Sequence, residues 1–175
     1  KIYVSSGSSC NVCIEKDSRR AAVWSANLDG SDFKPYATGL RNSVFLAEHE
    51  GQIWATEMGR DWLGNDLPPD EVNILTEGKN YGWPSCYGDK VHDDNFDKRG
   101  CAETVGSYVD LPAHSAPLGL AFTPDGKSLL VAYHGSWNRN PPTGYKIVKI
   151  DLQTKRISDF IPGWSGRPAD VILDG

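Results

Sequence analysis

One pattern recurs three times along this chain: a short segment alternates apolar and polar residues and then enters a turn. The segments are VWSANLDG (23–30), EVNILTEG (71–78) and YKIVKIDL (145–152). Alternation with a period of two is typical of a β-strand, because successive side chains of a strand point to opposite faces. The repeat therefore predicts an all-β fold.

The segments around this pattern predict further strands. Outer segments follow two of the repeats, as SDFKPYATGL and ISDFIPGW, and return strands follow these in SVFLAEHEGQIWATE and PADVILDG. A hairpin is also predicted in LGLAFTPDGKSLLVAYHG (118–135), where a PDG turn separates two strand-like runs. Antiparallel units that repeat at irregular spacing favour a β-propeller, and a β-sandwich is the alternative.

The two ends of the chain, VILDG and KIYVSSG, read together as one continuous hairpin. We therefore expect residues 1–175 to form a single partial propeller domain of about three blades, with the upstream blades absent. Three blades are too few to close a ring, and free edge strands normally need cover. Either a longer chain supplies the rest of a six-bladed propeller, or a homodimer completes it.

The composition narrows the possible partners. The 175 residues include 18 Lys and Arg against 23 Asp and Glu, and the basic residues are scattered. A net charge of −5 without a basic patch argues against a nucleic-acid partner. No apolar run approaches the roughly 20 residues that a membrane span needs. The sequence begins without an initiator Met or a leader, and the absence of a leader says nothing about export.

Four cysteines indicate an oxidising compartment, periplasmic or secreted. Cys86 and Cys101 bracket a polar loop, and we expect a disulfide between them. Cys10 and Cys13 form a CxxC motif and a second expected disulfide, although so tight a ring is easily strained. A zinc site made of the four cysteines is the alternative, but the second pair lacks the close spacing of a zinc knuckle.

Two arginines stand at equivalent places in the repeat. Arg41 and Asn42 lie in GLRNS (39–43), and Arg167 lies in GRPAD (166–170), each before a predicted strand. Equivalent strand entries of a propeller point at the same central face, so two arginines there predict an anion site. The alternative is an ordinary surface arginine beside a turn asparagine.

Two long loops carry the remaining candidates. In the loop at 59–88, Gly59 allows a backbone carbonyl to approach a ligand. Its carboxylates offer oxygens suited to calcium, and they are Asp61, Asp66, Asp70 and Glu71. The alternative is a solvated turn packed by Trp62 and Trp83. A second candidate patch, YHGSWNRNPPTG (133–144), contains His134, Trp137 and Arg139.

Together these motifs resemble the glucose/sorbosone dehydrogenase family, whose members are soluble six-bladed β-propellers that use pyrroloquinoline quinone (PQQ). The L-sorbosone dehydrogenase-like branch is the most similar. The resemblance spans nearly the whole chain and implies oxidation of a sugar or sugar-derived aldehyde by hydride transfer to calcium-bound PQQ. The matching motifs are GLRNS, GRDWLGNDLPPDEVNILTEGKNYGWPSCYG, HSAPLGLAF, AYHGSWNR and GRPADV.

The resemblance also implies residue roles. Arg41 and Asn42 would contact PQQ, Arg167 would hold one of its carboxylates, and the loop with Trp137 and Arg139 would add cofactor contacts. The family binds calcium through two consecutive backbone carbonyls, which correspond here to Gly59 and Arg60.

Two departures from the family pattern matter. Arg60 replaces a proline of the glucose dehydrogenases, so it either adds a repulsive charge or contacts PQQ itself. The proton-abstracting histidine of the family lies upstream of KIYVSSG, and His49, His92 and His114 do not match its motif. His134 stands near a family lysine and is the candidate base. The chain is therefore expected to carry part of the site.

Two other functions remain open from the sequence. A non-catalytic propeller module would bind a carbohydrate or a protein partner, because the fold alone does not fix function. A calcium-dependent lactonase-type propeller would need metal-binding carboxylates in several blades, whereas this chain concentrates them in one loop.

Overall fold

A computed structural model describes residues 1–163 and 165–174, and this part of the chain contains strands and no helix. The all-β prediction is confirmed. Among these residues, no helical segment has the length and apolar character required to cross a bilayer. The strands are β1 Ile2–Ser6, β2 Ala22–Ala26, β3 Lys34–Thr38, β4 Leu46–His49, β5 Gln52–Glu57, β6 Asp70–Leu75, β7 Lys79–Asn80, β8 Cys86–Tyr87, β9 Val91–His92, β10 Val109–Leu111, β11 Pro117–Phe122, β12 Ser128–Tyr133, β13 Lys146–Asp151 and β14 Ile157–Ile161.

The strands form three four-stranded sheets and a short two-stranded ribbon of β8 and β9. The sheet orders are β1-β2-β3-β7, β10-β6-β5-β4 and β11-β12-β13-β14. Pairing is antiparallel throughout, apart from the short parallel contact of β3 with β7. The three repeated segments become β2, β6 and β13, and each lies between two partner strands of its sheet. Each copy of the sequence repeat therefore corresponds to one four-stranded sheet.

The predicted hairpin at 118–135 is present as β11 and β12, and Gly126 takes a φ of +66° at the turn, which glycine adopts without strain. The return strand predicted within 168–174 does not form. Ala169 accepts one bond from the backbone N–H of Gly119, but a strand needs a whole ladder of such bonds. Trp164 and Gly175, which belong to predicted segments, lie outside the described residues.

The middle sheet is covered on both faces. Trp54 packs into one cluster with Leu120, Val131 and other side chains of the third sheet. Its neighbours Ile53 and Ala55 point the other way, into a cluster with the first sheet. The side chains of β5 therefore alternate between two cores, which explains why residues 53–57 are all buried.

Both expected disulfides are present, Cys10–Cys13 and Cys86–Cys101. No cysteine in the described ranges is free, so the alternative of a four-cysteine zinc site is wrong. The Cys86–Cys101 bond closes the polar loop that contains β9.

Candidate functional site

The predicted site residues lie on loops at one end of the sheets. In an antiparallel pair, the end of one strand lies beside the start of the next. The loop 58–69 joins β5 to β6, the loop 134–145 joins β12 to β13, and segment 112–116 leads into β11. The loop 7–21 and segment 39–45 occupy the same end of the first sheet and its link to the second. Residues distant in sequence therefore meet here.

A cavity of about 160 Å³ opens between these loops. Of the residues to which the family resemblance assigns a role, it brings together three, Arg41, Gly59 and Trp137. Sequence reasoning did not assign His114 to this place, because it matches no family histidine motif. The other lining residues are Met58, Asp61, Asp70, Ala116, Ser136 and Asn138.

Arg41 is the most connected side chain of the site. Its Nη1 donates to the carbonyl oxygen of Gly59 at 2.9 Å, and its Nη2 lies 3.3 Å from the Asp61 carboxylate. Its Nε and Nη2 donate to the backbone and side-chain oxygens of Asn11, both at 3.1 Å. A guanidinium held by this many planar contacts is fixed in direction. Arg41 also lines an adjoining groove of about 360 Å³, together with Asn42.

Asn11 is a positioning residue that sequence reasoning missed. Besides holding Arg41, its Oδ1 accepts from the backbone N–H of Asp61 at 2.7 Å, and its Nδ2 donates to the Asp61 carbonyl at 3.0 Å. Asn138, on the loop 134–145, donates through Nδ2 to the Asp61 carboxylate, with 2.8 Å between Nδ2 and Oδ1. The available signal was the position of Asn11 inside the CxxC ring, where the Cys10–Cys13 disulfide limits its backbone.

Gly59 is required by packing. A Cβ on this residue would lie 2.8 Å from the Pro69 carbonyl oxygen and 2.8 Å from the Pro68 ring. Its N–H donates to the buried carboxyl of Asp70, which also accepts from the backbone N–H of Ala116. Asp70 therefore ties the 58–69 loop to segment 112–116. Burial raises the pKa of Asp70 to about 6, although these bonds act in the opposite direction.

The four carboxylates whose oxygens suit calcium are dispersed. Asp70 and Glu71 are both buried, but Glu71 accepts from Gly88 N–H and from Asn73. Asp66 is paired with Arg139, and Asp61 with Arg41. Within the described residues, the only close group of three potential ligand side chains comprises Cys10, Cys13 and Glu15, and its cysteines are oxidised to a disulfide. In the described residues these four carboxylates therefore do not form one close group of metal ligands, and calcium binding stays a prediction.

A further carboxyl, Glu57, lies beneath the site beside Glu71. Glu57 and Glu71 face each other across β5 and β6 and line a water-sized void of about 20 Å³. Burial raises the pKa of Glu57 to about 8, and the nearby Glu71 acts in the same direction. Glu57 accepts from the backbone N–H of Asn42 and from the Ser43 hydroxyl. Segment 39–45 is thus anchored to β5.

Arg60 forms an ion pair inside the protein. Its guanidinium Nε lies 2.8 Å from the carboxylate of Asp93, and the two side chains are 11% and 2% exposed. Arg60 therefore pairs with an acid of the 93–101 loop, so its charge is balanced. The repulsion expected from Arg60 is therefore offset by Asp93, and a PQQ contact of its side chain stays a prediction.

The other predicted residues lie around the cavity. Arg167 donates to the carbonyls of Gly135 and Ser136, at 2.7 and 3.2 Å, and its guanidinium covers the Tyr145 ring. Arg139 donates to the Ala113 carbonyl at 3.0 Å. His134 is not among the cavity-lining residues, and its Nδ1 lies 3.3 Å from the Pro168 carbonyl oxygen. At the cavity wall, His114 donates through Nε2 to the Gly64 carbonyl at 2.7 Å.

Three repeated, mainly antiparallel sheets with a polar, loop-built cavity at one end define a class of all-β binding or catalytic protein. The sequence model described as Glucose / Sorbosone dehydrogenase matches residues 12–117, more than half of the chain. The chain belongs to this family, and the resemblance seen in its motifs is confirmed. A second model, described as TrAA12-like, matches residues 89–165.

Relatives and solved structures agree with this assignment. An uncharacterized protein of Borreliella burgdorferi is 35% identical over 98% of this chain, which spans 52% of that relative. A PQQ-dependent pyranose dehydrogenase of Coprinopsis cinerea is 35% identical over 71% of this chain, and the match spans 22% of its length. The iodide structure of the Trichoderma reesei family AA12 enzyme covers 95% of this chain, and 54% of its own, with a TM-score of 0.76. At 24% identity, that likeness shows the fold alone.

Proposed function

We propose that this chain forms part of the PQQ site of a quinoprotein dehydrogenase that oxidises a sugar or a sugar-derived aldehyde. One observation carries the proposal: a fixed guanidinium, Arg41, lies between a cavity and a groove in a member of the glucose/sorbosone dehydrogenase family. The PQQ-dependent pyranose dehydrogenase among its relatives supports this choice of cofactor and substrate class.

The residues present fit PQQ in part. PQQ is a flat tricarboxylate, so it needs cations at its rim, and Arg41 presents its guanidinium to both openings. The cavity of about 160 Å³ is smaller than the roughly 300–1,000 Å³ of most ligand pockets. This size supports a site to which the present chain contributes only some of the walls. Asn42, Arg139, Trp137 and Arg167 remain predicted cofactor contacts.

Calcium would be held by the backbone carbonyls of Gly59 and Arg60, as the family pattern predicts. The Gly59 oxygen already accepts one bond from Arg41, and a carbonyl has a second lone pair for a metal ion. Because the side-chain carboxylates are dispersed, the chain offers no cluster of charged ligands within the described residues. We therefore expect calcium to bind together with the anionic cofactor and weakly without it.

When bound, PQQ supplies an electrophilic quinone that accepts a hydride from the sugar carbon. The chain's own residues bind the cofactor and orient the groups that contact it. Arg41 neutralises a carboxylate, and Asp70 fixes the Gly59 backbone and thereby the direction of its carbonyl. Asn11 keeps Arg41 from turning towards solvent. The role of His134 as a base stays a prediction.

The arrangement of the whole protein is also a proposal. We propose that residues 1–175 form one partial domain, with the three sheets as about three blades of a six-bladed propeller. A longer chain or a homodimer would complete the ring. The two disulfides support a periplasmic or secreted location.

A titration with PQQ, in calcium and in EDTA, tests the proposal on a sample sized by light scattering. We expect calcium-dependent binding that Arg41→Ala weakens by about 1.5–3 kcal/mol, or about 10- to 150-fold. Arg99→Ala is the matched control, because Arg99 is exposed and pairs with Asp97 away from the cavity. Equal affinity of the Arg41 variant and the wild type would remove Arg41 from the site.

A further inference from the structure

Two large aromatic side chains stand exposed at the mouth of the cavity. Trp62 is 71% exposed and Trp137 is 65% exposed, and both lie in bends of the two site loops. Tryptophan is normally buried over most of its surface, so two such side chains in contact need an explanation. Trp137 also lines the cavity.

The two indoles form a corner. Their ring centroids are 5.3 Å apart and their planes are inclined by 86°, so they present two nearly perpendicular apolar surfaces. Trp62 adopts a φ of +67°, a left-handed conformation that is rare for a bulky residue. Such strain persists only where the surrounding structure imposes it, and it is typical of functional sites.

The surrounding contacts impose this geometry. Asn65 and Asn140 exchange hydrogen bonds between the two loops, one donated by each residue. Arg139 pairs with Asp66 at 2.8 Å. Asn138, next to Trp137, donates to Asp61, next to Trp62. The loops are thus tied on both sides of the indoles, and the corner is formed before any ligand arrives.

We propose that Trp62 and Trp137 form a platform for the pyranose ring of a neutral saccharide at the mouth of the cavity. The inference rests on the proposed function, because it assigns the substrate subsite of that same dehydrogenase. Nothing in the family motifs assigns a role to Trp62.

The chemistry of the corner fits a neutral sugar. A pyranose has one face rich in C–H groups, which packs on an aromatic ring, and a rim of hydroxyls that exchange hydrogen bonds. Asp61 and Asn138 lie beside the indoles and can accept from and donate to such hydroxyls. Arg139, on the same loop as Trp137, is paired with Asp66, so its charge is offset beside the corner.

The test is a titration of the chain, without PQQ, with D-glucose and cellobiose, followed through the indole N–H resonances. D-Glucitol, which has the hydroxyls without the ring, is the ligand control. We expect both sugars to shift the Trp62 and Trp137 resonances, and glucitol to shift neither. Trp62→Ala and Trp137→Ala should each weaken binding about tenfold. Phe33→Ala is the matched control, because Phe33 is an exposed ring stacked on Trp24 in the first sheet.

The outcomes separate this inference from the proposed function. If PQQ binds but the sugars shift neither indole, or if glucitol acts like the sugars, the platform is overturned and the quinone site stands. If the sugars shift both indoles but PQQ does not bind, the platform stands as a carbohydrate site and the dehydrogenase proposal fails. Unshifted resonances of Trp24, Trp54 and Trp83 in the Trp62 and Trp137 variants show that the fold is intact.

Discussion

Replacing Asp93 with asparagine removes the charge that Arg60 faces inside the protein. The pair joins the 58–69 loop to the loop closed by Cys86–Cys101, and both side chains are almost fully buried. Asparagine keeps an oxygen that can accept the bond from the Asn95 backbone N–H. The variant therefore isolates the ionic contribution.

The size of the effect follows from the geometry. At the observed 2.8 Å, two unit charges attract by about 6 kcal/mol at an effective dielectric constant of about 20. Desolvation of both groups offsets much of this attraction, so the intact pair adds little net stability. Removing one partner leaves the other buried and uncompensated, which costs about 3–5 kcal/mol. For a chain of this size, that loss lowers the Tm by about 6–20 °C.

The assay is urea unfolding followed by tryptophan fluorescence at pH 7, with Arg60→Met and the double variant beside Asp93→Asn. Because the double variant leaves no unpaired charge, we expect a coupling energy of about 2 kcal/mol or more. The loss should persist at high salt, since buried pairs are poorly screened. A loss under about 1 kcal/mol without coupling would mean that the pair behaves as a solvated surface contact.

Three further variants test other parts of the structure. Burial raises the pKa of Glu71 from 4.5 to about 7, so the folded state binds more protons than the unfolded chain in this interval. Unfolding free energy should therefore fall as pH rises from 4.5 to 7, and Glu71→Gln should flatten this slope; an unchanged slope would refute the assignment. Replacing Cys86 and Cys101 together with alanine opens a loop with a sequence separation of 15 and should cost about 2–4 kcal/mol in urea unfolding. An unchanged urea midpoint would show that the disulfide adds no stability. Asn11→Ala should lower PQQ affinity by about 1–3 kcal/mol, because Arg41 loses a side-chain acceptor. Asn11→Asp should restore part of the affinity, and equal affinity of both variants would contradict a positioning role.

The strands were predictable because their signals are local. Alternation, turn residues and the PDG hairpin need only a few neighbouring positions, and they located β2, β6, β13 and the β11–β12 hairpin. The return strand predicted at 168–174 does not form, and the local nature of the signal explains this error too. A local pattern indicates extended backbone, but it cannot supply the partner strand.

The candidate carboxylates lie apart for a different reason. Asp70 and Glu71 are adjacent in sequence, yet successive strand residues point to opposite sides. Asp70 reaches Ala116, and Glu71 reaches Gly88. Closeness along the chain is therefore not closeness of the carboxylate oxygens, because the strand geometry separates the two side chains.

The sequence by itself determined the family, the three repeated strand units and both cysteine pairs, because motifs and short-range periodicity carry this information. It also singled out Arg41 as a candidate. Only the tertiary structure decided what surrounds Arg41. Asn11 lies 30 positions from Arg41, Asp93 lies 33 positions from Arg60, and Asn138 lies 77 positions from Asp61. These contacts depend on how three sheets bring their loops to one end, and no local pattern along the chain encodes that arrangement.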